Sequence, residues 1–223
     1  MYANSRLPVS TQSGIHPGLP ELLDRHARAG FRKPIAGYNR AAFAESWERY
    51  RRAGADTPLI LDSCCGVGES SVVLAREFPQ HYVIGVDQSA SRLARGRRGV
   101  AHWPPNLDLV RADVVDYWRL LHAADVRLAR HYLLYPNPWP KSTHLGRRWH
   151  GHAVFPSLLA LGGLLECRSN WPLYLAEFCL AVHRMTGRAA ACEACLPASP
   201  MTPFERKYQA SGHALWRCRV DLD

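Results

Sequence analysis

Residues 58–87 read "PLILDSCCGVGESSVVLAREFPQHYVIGVD" and contain two apolar runs separated by a glycine-containing turn and a helical pattern. Short apolar runs that alternate with helical segments indicate parallel strands joined by crossover helices. The alternation continues through "LDLVRAD", "DVVDYWRLLH", "RHYLLYP", "LLECRS" and "WPLYLAEFCLAVHRM", and "ALWRCRVD" is expected to add an antiparallel strand. We therefore predict an α/β fold in which helices cover both faces of a mostly parallel sheet.

The segment before this pattern has a different character. In "FAESWERYRR", Phe43, Trp47 and Tyr50 recur at helical spacing and are expected to pack, while the arginines point mainly elsewhere. The preceding "HARAGFRKPIAGYNR" is basic and contains glycine and proline, which is typical of a loop between helices. We predict a helical, basic N-terminal appendage over residues 1–55, followed by one domain over residues 56–223.

The chain as a whole is basic. Its 223 residues carry a formal net charge of +9, and 47% of them are hydrophobic. This composition is that of a globular protein that attracts polyanions, such as nucleic acid or an anionic membrane surface. No segment is as long and apolar as a membrane-spanning helix, and the N-terminus lacks the apolar core of a signal peptide. We therefore expect a cytoplasmic protein.

The cysteines and histidines favour neither disulfides nor a metal site. The seven cysteines show no repeated paired spacing, so reduced thiols are expected. Cys192 and Cys195 form one C-x-x-C, but a structural zinc needs four ligands and no second pair follows. His144, His150 and His152 lie near a basic stretch, where contacts to phosphate or water are expected instead of a metal.

Acidic residues follow three successive predicted strands. Asp62 precedes a loop with Gly66 and Gly68, Asp87 ends the next strand, and Asp113 follows the third. In an open α/β sheet, ligands bind beyond the carboxyl ends of the strands, where an acid can accept hydrogen bonds from ribose hydroxyls or an adenine amine. The pattern predicts an adenosine-containing cofactor. A nucleotide-dependent oxidoreductase is the alternative, although its loop would read G-x-G-x-x-G.

The D-x-x-x-G-x-G pattern of this loop resembles the S-adenosylmethionine site of class I methyltransferases. In that class the first acid lies near the methionine end of the cofactor. The resemblance implies S-adenosylmethionine as the cofactor, bound by Asp62, Cys64, Gly66, Gly68, Asp87, Gln88, Asp113, Val114 and Asn137.

Residues 135–152, "YPNPWPKSTHLGRRWHGH", make the resemblance more specific. The tRNA (guanine-N7)-methyltransferase family carries a P-D-P-W-P-K loop with basic residues after it, then a T-D-W motif, and T-x-F-E near the C-terminus. This chain has "PNPWPK", "SNWPLYLAEF" and "TPFERKY" in the same order. The resemblance identifies the chain as a divergent member of that family. It implies a Rossmann-like, seven-stranded fold and methyl transfer to N7 of a tRNA guanosine, guanosine 46 of the variable loop.

The resemblance also implies roles for particular residues. It places Asn137 at a position used for the cofactor and for catalysis. The positions that it implies for binding guanosine or tRNA are Lys141, Asn170, Thr202, Phe204 and Glu205.

The chemistry of these side chains suits such a substrate. Glu205 can accept hydrogen bonds from the N1 and N2 donors of guanine. Phosphates can pair with Lys141, Arg147 and Arg148. One of Trp139 and Trp149 could stack on a base, and the other is expected to serve packing.

Two departures from the family pattern leave alternatives open. Asn137 and Asn170 stand where the family has aspartates. Guanine N7 has a lone pair and no proton, so methyl transfer to it needs no general base. The loop "NPWP" also resembles in part the Asn-Pro-Pro-aromatic loop of methyltransferases that act on exocyclic amines. A tRNA-binding protein that has lost the chemistry is the third hypothesis.

Overall fold

A seven-stranded sheet with the order β3-β2-β1-β4-β5-β7-β6 forms the centre of the computed structural model, which describes residues 4–54 and 56–223. Strands β1 to β5 are mutually parallel, and β7 runs antiparallel to its neighbours β5 and β6. The strands are β1 (Leu59–Ser63), β2 (Tyr82–Asp87), β3 (Leu107–Arg111), β4 (Arg130–Leu134), β5 (Leu164–Ser169), β6 (Ala191–Ala194) and β7 (Trp216–Asp221). The predicted mostly parallel, seven-stranded sheet with an antiparallel final strand is confirmed.

Helices separate the strands. The α-helices are α1 (Leu19–Arg28), α2 (Gly37–Ala53), α3 (Glu69–Glu77), α4 (Ala90–Arg98), α5 (Val114–Ala123), α6 (Phe155–Leu159), α7 (Pro172–Thr186) and α8 (Pro203–Ala210). Three of them begin at a residue whose side chain accepts a hydrogen bond from a first-turn amide: Ser89 for α4, Asp113 for α5 and Thr202 for α8. Two short 3-10 helices, Ser142–Arg147 and Trp149–Gly151, follow β4.

The central strands are buried along their whole length. Every residue of β1 and β2 is buried, as expected for parallel strands with helices on both faces. This burial explains why their sequences are continuous apolar runs that show no alternation of polar and apolar residues.

The N-terminal helices pack on the same hydrophobic core as the sheet. Leu19, Leu23 and Tyr50 are buried members of that core. The ring centroids of Trp47 and Tyr50 lie 4.9 Å apart, and those of Tyr50 and Tyr82 in β2 lie 5.6 Å apart. The predicted packing of the aromatic stripe is therefore confirmed. The domain boundary at residue 55 stays a prediction, and that residue lies outside the described ranges.

The strand order reverses between β1 and β4. The chain moves outward from β1 to β3 and then returns to the other side of β1. At such a reversal the loops beyond the carboxyl ends diverge and leave a crevice for a ligand. Both the glycine loop after β1 and the loop of residues 135–141 after β4 border this crevice.

Across residues 4–54 and 56–223, no helix combines the length and apolar character needed to cross a lipid bilayer.

Candidate active site

The loop after β1 adopts a conformation that exposes its backbone. Cys64, Gly66 and Gly68 have φ angles of 61°, 64° and 75°, in the left-handed region that favours glycine. Gly68 is the N-cap of α3, and a Cβ at Gly66 would meet no neighbouring atom within 4 Å. Open space therefore lies over Gly66, at the start of a helix whose amides point outward.

Asp62 is the buried acid beneath this loop. Its Oδ2 atom accepts hydrogen bonds from the hydroxyls of Ser70 and Ser71, each 2.6 Å long. Its Oδ1 atom is buried and has no hydrogen-bond partner among the described residues. Burial raises the pKa of Asp62 to about 6, although both serine hydrogen bonds lower it. An unpartnered carboxylate oxygen in this position suits a cationic ligand group, such as the ammonium of a methionine moiety.

Asp87, at the end of β2, holds the loop and the next helix together. Its Oδ1 atom accepts from the Ser89 amide at 2.8 Å, and its Oδ2 atom accepts from the Gly66 amide at 3.0 Å. Arg92 approaches Oδ2 at 3.4 Å. The adjacent Gln88 is exposed. The acid predicted to bind ribose is thus also the residue that fixes the glycine loop.

Asp113 and Val114 form the third wall of the crevice at the start of α5. The Asp113 side chain accepts from the Val115 amide at 3.0 Å, and its own amide donates to Asn39 Oδ1 at 3.0 Å. Asn39 lies on α2 and donates to Asp116 Oδ2 at 2.7 Å. Asn39 is not predictable from the sequence, because a single asparagine within a helical pattern carries no local signal of a contact with α5.

The loop of residues 135–141 is held in a strained conformation. Tyr135 and Trp139 have φ angles of 52° and 45°, which bulky residues rarely adopt and which cost on the order of 1–3 kcal/mol each. Asn137 lies between them with an exposed side chain, whose Oδ1 atom accepts from the Trp139 amide at 3.4 Å. The fold therefore presents the Asn137 amide to solvent at the carboxyl end of β4.

The prediction that Arg148 binds phosphate is wrong for this conformation. Arg148 is fully buried, and its guanidinium donates to Glu177 Oε2 at 2.5 Å and to Gln12 Oε1 at 3.1 Å. His150, also fully buried, lies 2.9 Å from the same Glu177 oxygen. Burial alone would raise the pKa of Glu177, but hydrogen bonds from His150, the His16 amide and Arg148 hold it at about 2. Arg148 therefore stabilises the fold, because its charge is neutralised inside the protein.

Glu205 also differs from its predicted role. It is fully buried, and its Oε1 atom accepts from the Tyr135 hydroxyl at 2.7 Å and from Arg168 Nη1 at 2.8 Å. Its Oε2 atom accepts from the Met201 amide at 2.6 Å. Because Glu205 is fully buried, its carboxylate offers no exposed oxygen to a guanine, and it instead ties the strained Tyr135 to α8.

The neighbours of Glu205 have separate positions. Thr202 is buried, and its hydroxyl accepts from the Glu205 amide at 3.0 Å as the N-cap of α8. Phe204, in the first turn of α8, is 53% exposed. Of the three predicted residues of this motif, Thr202, Phe204 and Glu205, only Phe204 has an exposed side chain.

Asn170 is buried at the end of β5 and pairs with a histidine. Its Nδ2 atom lies 3.1 Å from His213 Nδ1, and His213 Nε2 lies 3.0 Å from the Ser5 carbonyl. His213 can donate from Nε2 to the Ser5 carbonyl while its Nδ1 atom accepts from Asn170. No spacing in the sequence signals that these three residues meet.

The exposed basic residues of the site are Lys141 and Arg147. The guanidinium of Arg147 lies 4.9 Å from the centroid of the Trp139 ring. Trp149 instead packs edge-on against Trp118, with centroids 4.9 Å apart. Of the two tryptophans, Trp149 therefore belongs to the packing, and Trp139 is half-buried in the loop of residues 135–141.

An N-terminal strap, residues 5–16, crosses this edge of the sheet. The Ser10 hydroxyl donates to the Pro140 carbonyl at 2.6 Å, and Gln12 Nε2 donates to Glu177 Oε1 at 2.5 Å. With the Ser5 contact to His213, the strap connects the loop of residues 135–141 to α7 and to the segment after α8. The strap is not predictable from the sequence, because its contacts with the loop, α7 and His213 join residues more than 100 positions apart.

Comparison with known proteins places the chain in a family. A family model described as "Putative methyltransferase" matches residues 56–218. A tRNA (guanine-N(7)-)-methyltransferase of Anaeromyxobacter dehalogenans is 32% identical over 77% of this chain and 89% of its own length. One of Ectopseudomonas mendocina is 31% identical over 73% of this chain and 72% of its own length. One of Treponema pallidum is 28% identical over 73% of this chain, and the match spans 66% of that relative.

Solved structures share the fold at low identity. The 16S rRNA methyltransferase KamB superposes with a TM-score of 0.59 at 16% identity, over 86% of this chain and 97% of its own. A 16S rRNA (adenine(1408)-N(1))-methyltransferase from Catenulisporales acidiphilia, solved with its cosubstrate S-adenosylmethionine, gives a TM-score of 0.55 at 20% identity over 80% and 91%. These similarities establish the Rossmann-like fold. The family match over residues 56–218, together with the relatives at 31% and 32% identity, shows that the chain belongs to the tRNA (guanine-N7)-methyltransferase family.

Proposed function

We propose that the protein transfers a methyl group from S-adenosylmethionine to N7 of a guanosine in tRNA. The observation that carries the proposal is the unpartnered, buried Oδ1 atom of Asp62, beneath a loop whose backbone is open at Gly66. Family membership gives the reaction, and this oxygen gives the chain a place for the cofactor's cationic end. Guanosine 46 is the proposed target within tRNA.

The residues around the crevice fit the parts of the cofactor. When bound, S-adenosylmethionine supplies an electrophilic methyl group. Asp62 accepts from its ammonium group, Asp87 accepts from its ribose hydroxyls, and Asp113 with Val114 borders its adenine. Because Asp87 already binds the Gly66 amide, ribose recognition and loop conformation are coupled.

On the side of the methyl acceptor, the residues need only position the guanine. Its N7 atom carries no proton, so no general base is required. The exposed Asn137 lies in the loop beyond β4, toward the switch point between β1 and β4. Lys141 and Arg147 bind phosphates, while the exposed ring of Phe204 offers a stacking surface. Arg148 and Glu205 support this surface from inside and do not contact the substrate.

Asn137 gives this site one carboxylate fewer than a family member that has aspartate at the same position. Methylation at N7 leaves a positive charge on guanine, and a carboxylate beside it would stabilise that charge. Loss of one charged interaction costs about 1.5–3 kcal/mol, or roughly 10–150-fold in rate. We therefore propose a slower enzyme than relatives with aspartate at this position.

The exposed Asn137 amide also supports a second candidate, methylation of an exocyclic amine. An amide oxygen can accept a hydrogen bond from an amine and orient its lone pair toward the methyl group. The chemical identity of the methylated nucleoside distinguishes this candidate from N7 methylation.

A deletion strain tests the proposal in the cell. We expect its tRNA to lack 7-methylguanosine, as measured by mass spectrometry of digested nucleosides. Expression of the wild-type protein should restore the modification, and Asp62→Asn should restore little of it. Unchanged 7-methylguanosine in the deletion strain would contradict the proposal.

A further inference from the structure

Positive charge is concentrated without neutralisation around α4. Residues 90–111 contain five arginines and one acid, Asp108, which Arg49 of α2 binds at 2.8 Å. Arg92 has a carboxylate partner, Asp87. Within residues 4–54 and 56–223, no carboxylate lies within 4.0 Å of the other four, Arg95, Arg97, Arg98 and Arg111.

Several arginines elsewhere on the surface have carboxylate partners. Such pairs are Arg127 with Asp223, Arg184 with Asp24, Arg206 with Glu69, Arg217 with Glu193 and Arg219 with Glu166. Protein surfaces usually intersperse the two signs of charge, so a helix with unpaired arginines has a strong local field that attracts anions.

The fold holds α4 tightly against the glycine loop. A Cβ at Gly96 would overlap the Val67 carbonyl, so only glycine allows this approach. Leu93 is buried beneath the helix, and Arg97 Nη2 donates to the Leu109 carbonyl at 2.5 Å. The arginines are therefore displayed from a fixed helix that begins at the rim of the cofactor crevice.

An exposed tryptophan lies beside these arginines. Trp103 is 37% exposed, and its indole Nε1 donates to the Leu107 carbonyl at 3.2 Å. It borders two surface depressions of about 400 and 380 Å³. Arg97 lines the first depression, and Arg76 with His102 lines the second. Guanidinium groups next to an aromatic face are the combination with which proteins bind phosphates and stack on unpaired bases.

We infer that α4, Trp103 and Arg76 form a second RNA-binding surface, which we call the α4 surface. It rests on the proposed function: the arginines of α4 bind backbone phosphates of the tRNA substrate, and Trp103 stacks on an unpaired base. The surface lies on the β2 and β3 side of the switch point, whereas Lys141 and Arg147 lie after β4. Because Arg76 lies in the last turn of α3 and Trp103 precedes β3, the α4 surface extends from the rim of the crevice toward the amino ends of β2 and β3.

RNA fits this surface better than an anionic membrane does. A helix that lies on a membrane turns large apolar side chains outward, together with its basic residues. The one large apolar side chain of α4, Leu93, is buried against the protein. Helix α4 therefore displays charge without large exposed apolar side chains, which favours a phosphate backbone, and the exposed aromatic ring beside it is Trp103.

A double variant, Arg95→Gln with Arg98→Gln, tests the α4 surface. The matched control is Arg51→Gln with Arg188→Gln, which removes two exposed arginines from α2 and from the turn after α7. The affinity for tRNA is measured over a series of salt concentrations. Each lost phosphate contact reduces the magnitude of the slope of log affinity against log salt concentration by about 1. The slope of the variant should therefore be smaller by about 2, and the slope of the control should equal that of the wild-type protein. The affinity of the variant at about 0.1 M salt should fall roughly 10-fold or more.

Trp103→Leu tests the stacking contact, with retained thermal stability as the control for folding. We expect its tRNA affinity to fall at least about 5-fold with an unchanged salt slope, because stacking involves no counterion release. The affinity for S-adenosylmethionine should stay at the wild-type value in all these variants.

The outcomes separate the α4 surface from the proposed function. If the wild-type protein methylates tRNA and the Arg95 and Arg98 variant has the tRNA affinity and salt slope of the control, the α4 surface is overturned and the proposed function stands. Wild-type binding without methyl transfer, with the slope reduced in the variant, would support the surface and contradict the proposed function. Absence of wild-type tRNA binding would overturn both.

Discussion

At the residue scale, the titration of Asp62 connects the fold to cofactor binding. Burial raises its pKa to about 6, above the ordinary value of 3.8. In the ligand-free protein, its stabilising contribution is therefore full below pH 3.8 and decreases as the pH rises toward 6. Without ligand, burial favours the protonated form of Asp62. A cationic ligand favours the ionised form, because it pairs with the negative carboxylate.

The affinity for S-adenosylmethionine should therefore rise with pH from about 5 to about 7 and level off above the pKa of Asp62. Isothermal titration calorimetry across this range measures the effect. Asp62→Asn should bind more weakly and lose this pH dependence. An affinity of the wild-type protein that stays constant between these pH values would contradict the assigned role of Asp62.

Adjacent arginines in "HLGRR" should respond differently to substitution. Arg148→Met leaves Glu177 buried without its cation, which typically costs about 3–5 kcal/mol in the free energy of unfolding. Arg147→Gln removes an exposed charge and should change stability by less than about 1 kcal/mol while weakening tRNA binding. Urea denaturation and tRNA titration of both variants measure these effects. Equal stability of the two variants would show that the buried network does not stabilise the fold.

The two asparagines should also differ. Asn137→Asp places a carboxylate in the exposed loop and should raise the single-turnover rate of methyl transfer about 10-fold or more. Asn170→Asp should give no such increase, because Asn170 is buried against His213. If Asn137→Asp leaves the rate unchanged, Asn137 does not lie near the developing charge.

At the element scale, local sequence patterns predict the strands and helices but not their distant contacts. The apolar runs of β1 and β2 and the stripe of Phe43, Trp47 and Tyr50 follow from spacing alone. The burial of Arg148 does not, because its partners Glu177 and Gln12 lie 29 and 136 positions away. A basic residue in a basic loop has the same local pattern whether it faces solvent or a buried acid.

The N-terminal strap should control the loop of residues 135–141. Deletion of residues 1–11 removes the Ser10 and Ser5 contacts but retains Gln12 and His16, which bind Glu177. We expect faster amide hydrogen exchange in the loop and in α8, with unchanged exchange in β1 and β2. The kcat/KM for tRNA should fall. Unchanged exchange in the loop would show that the strap does not restrain it.

At the scale of the whole molecule, the sequence predicts the sheet, the class of fold and an attraction to polyanions. It does not predict where the unpaired positive charge lies, because that depends on which arginines meet acids in the folded chain. It also does not reveal that Asn39, within the predicted appendage, hydrogen-bonds to the Asp113 amide beside the crevice.

The fragment of residues 56–223 should therefore be unstable. This fragment lacks α1 and α2. In the full chain, Tyr50 of α2 contacts Tyr82 and Phe43 of α2 contacts Tyr117, so the fragment exposes this part of the core. We expect loss of a cooperative thermal transition and binding of a hydrophobic dye, measured against the full chain. A cooperative transition at the temperature of the full chain would support an independent domain with its boundary at residue 55.

Methyl transfer in vitro tests the central claim most directly. The purified full chain is incubated with labelled S-adenosylmethionine and tRNA from the deletion strain, and the digested nucleosides are identified by mass spectrometry. We predict labelled 7-methylguanosine from the wild-type protein, a higher yield from Asn137→Asp and little from Asp62→Asn. A different methylated nucleoside, or no product from a protein that binds both tRNA and S-adenosylmethionine, would contradict the proposed reaction.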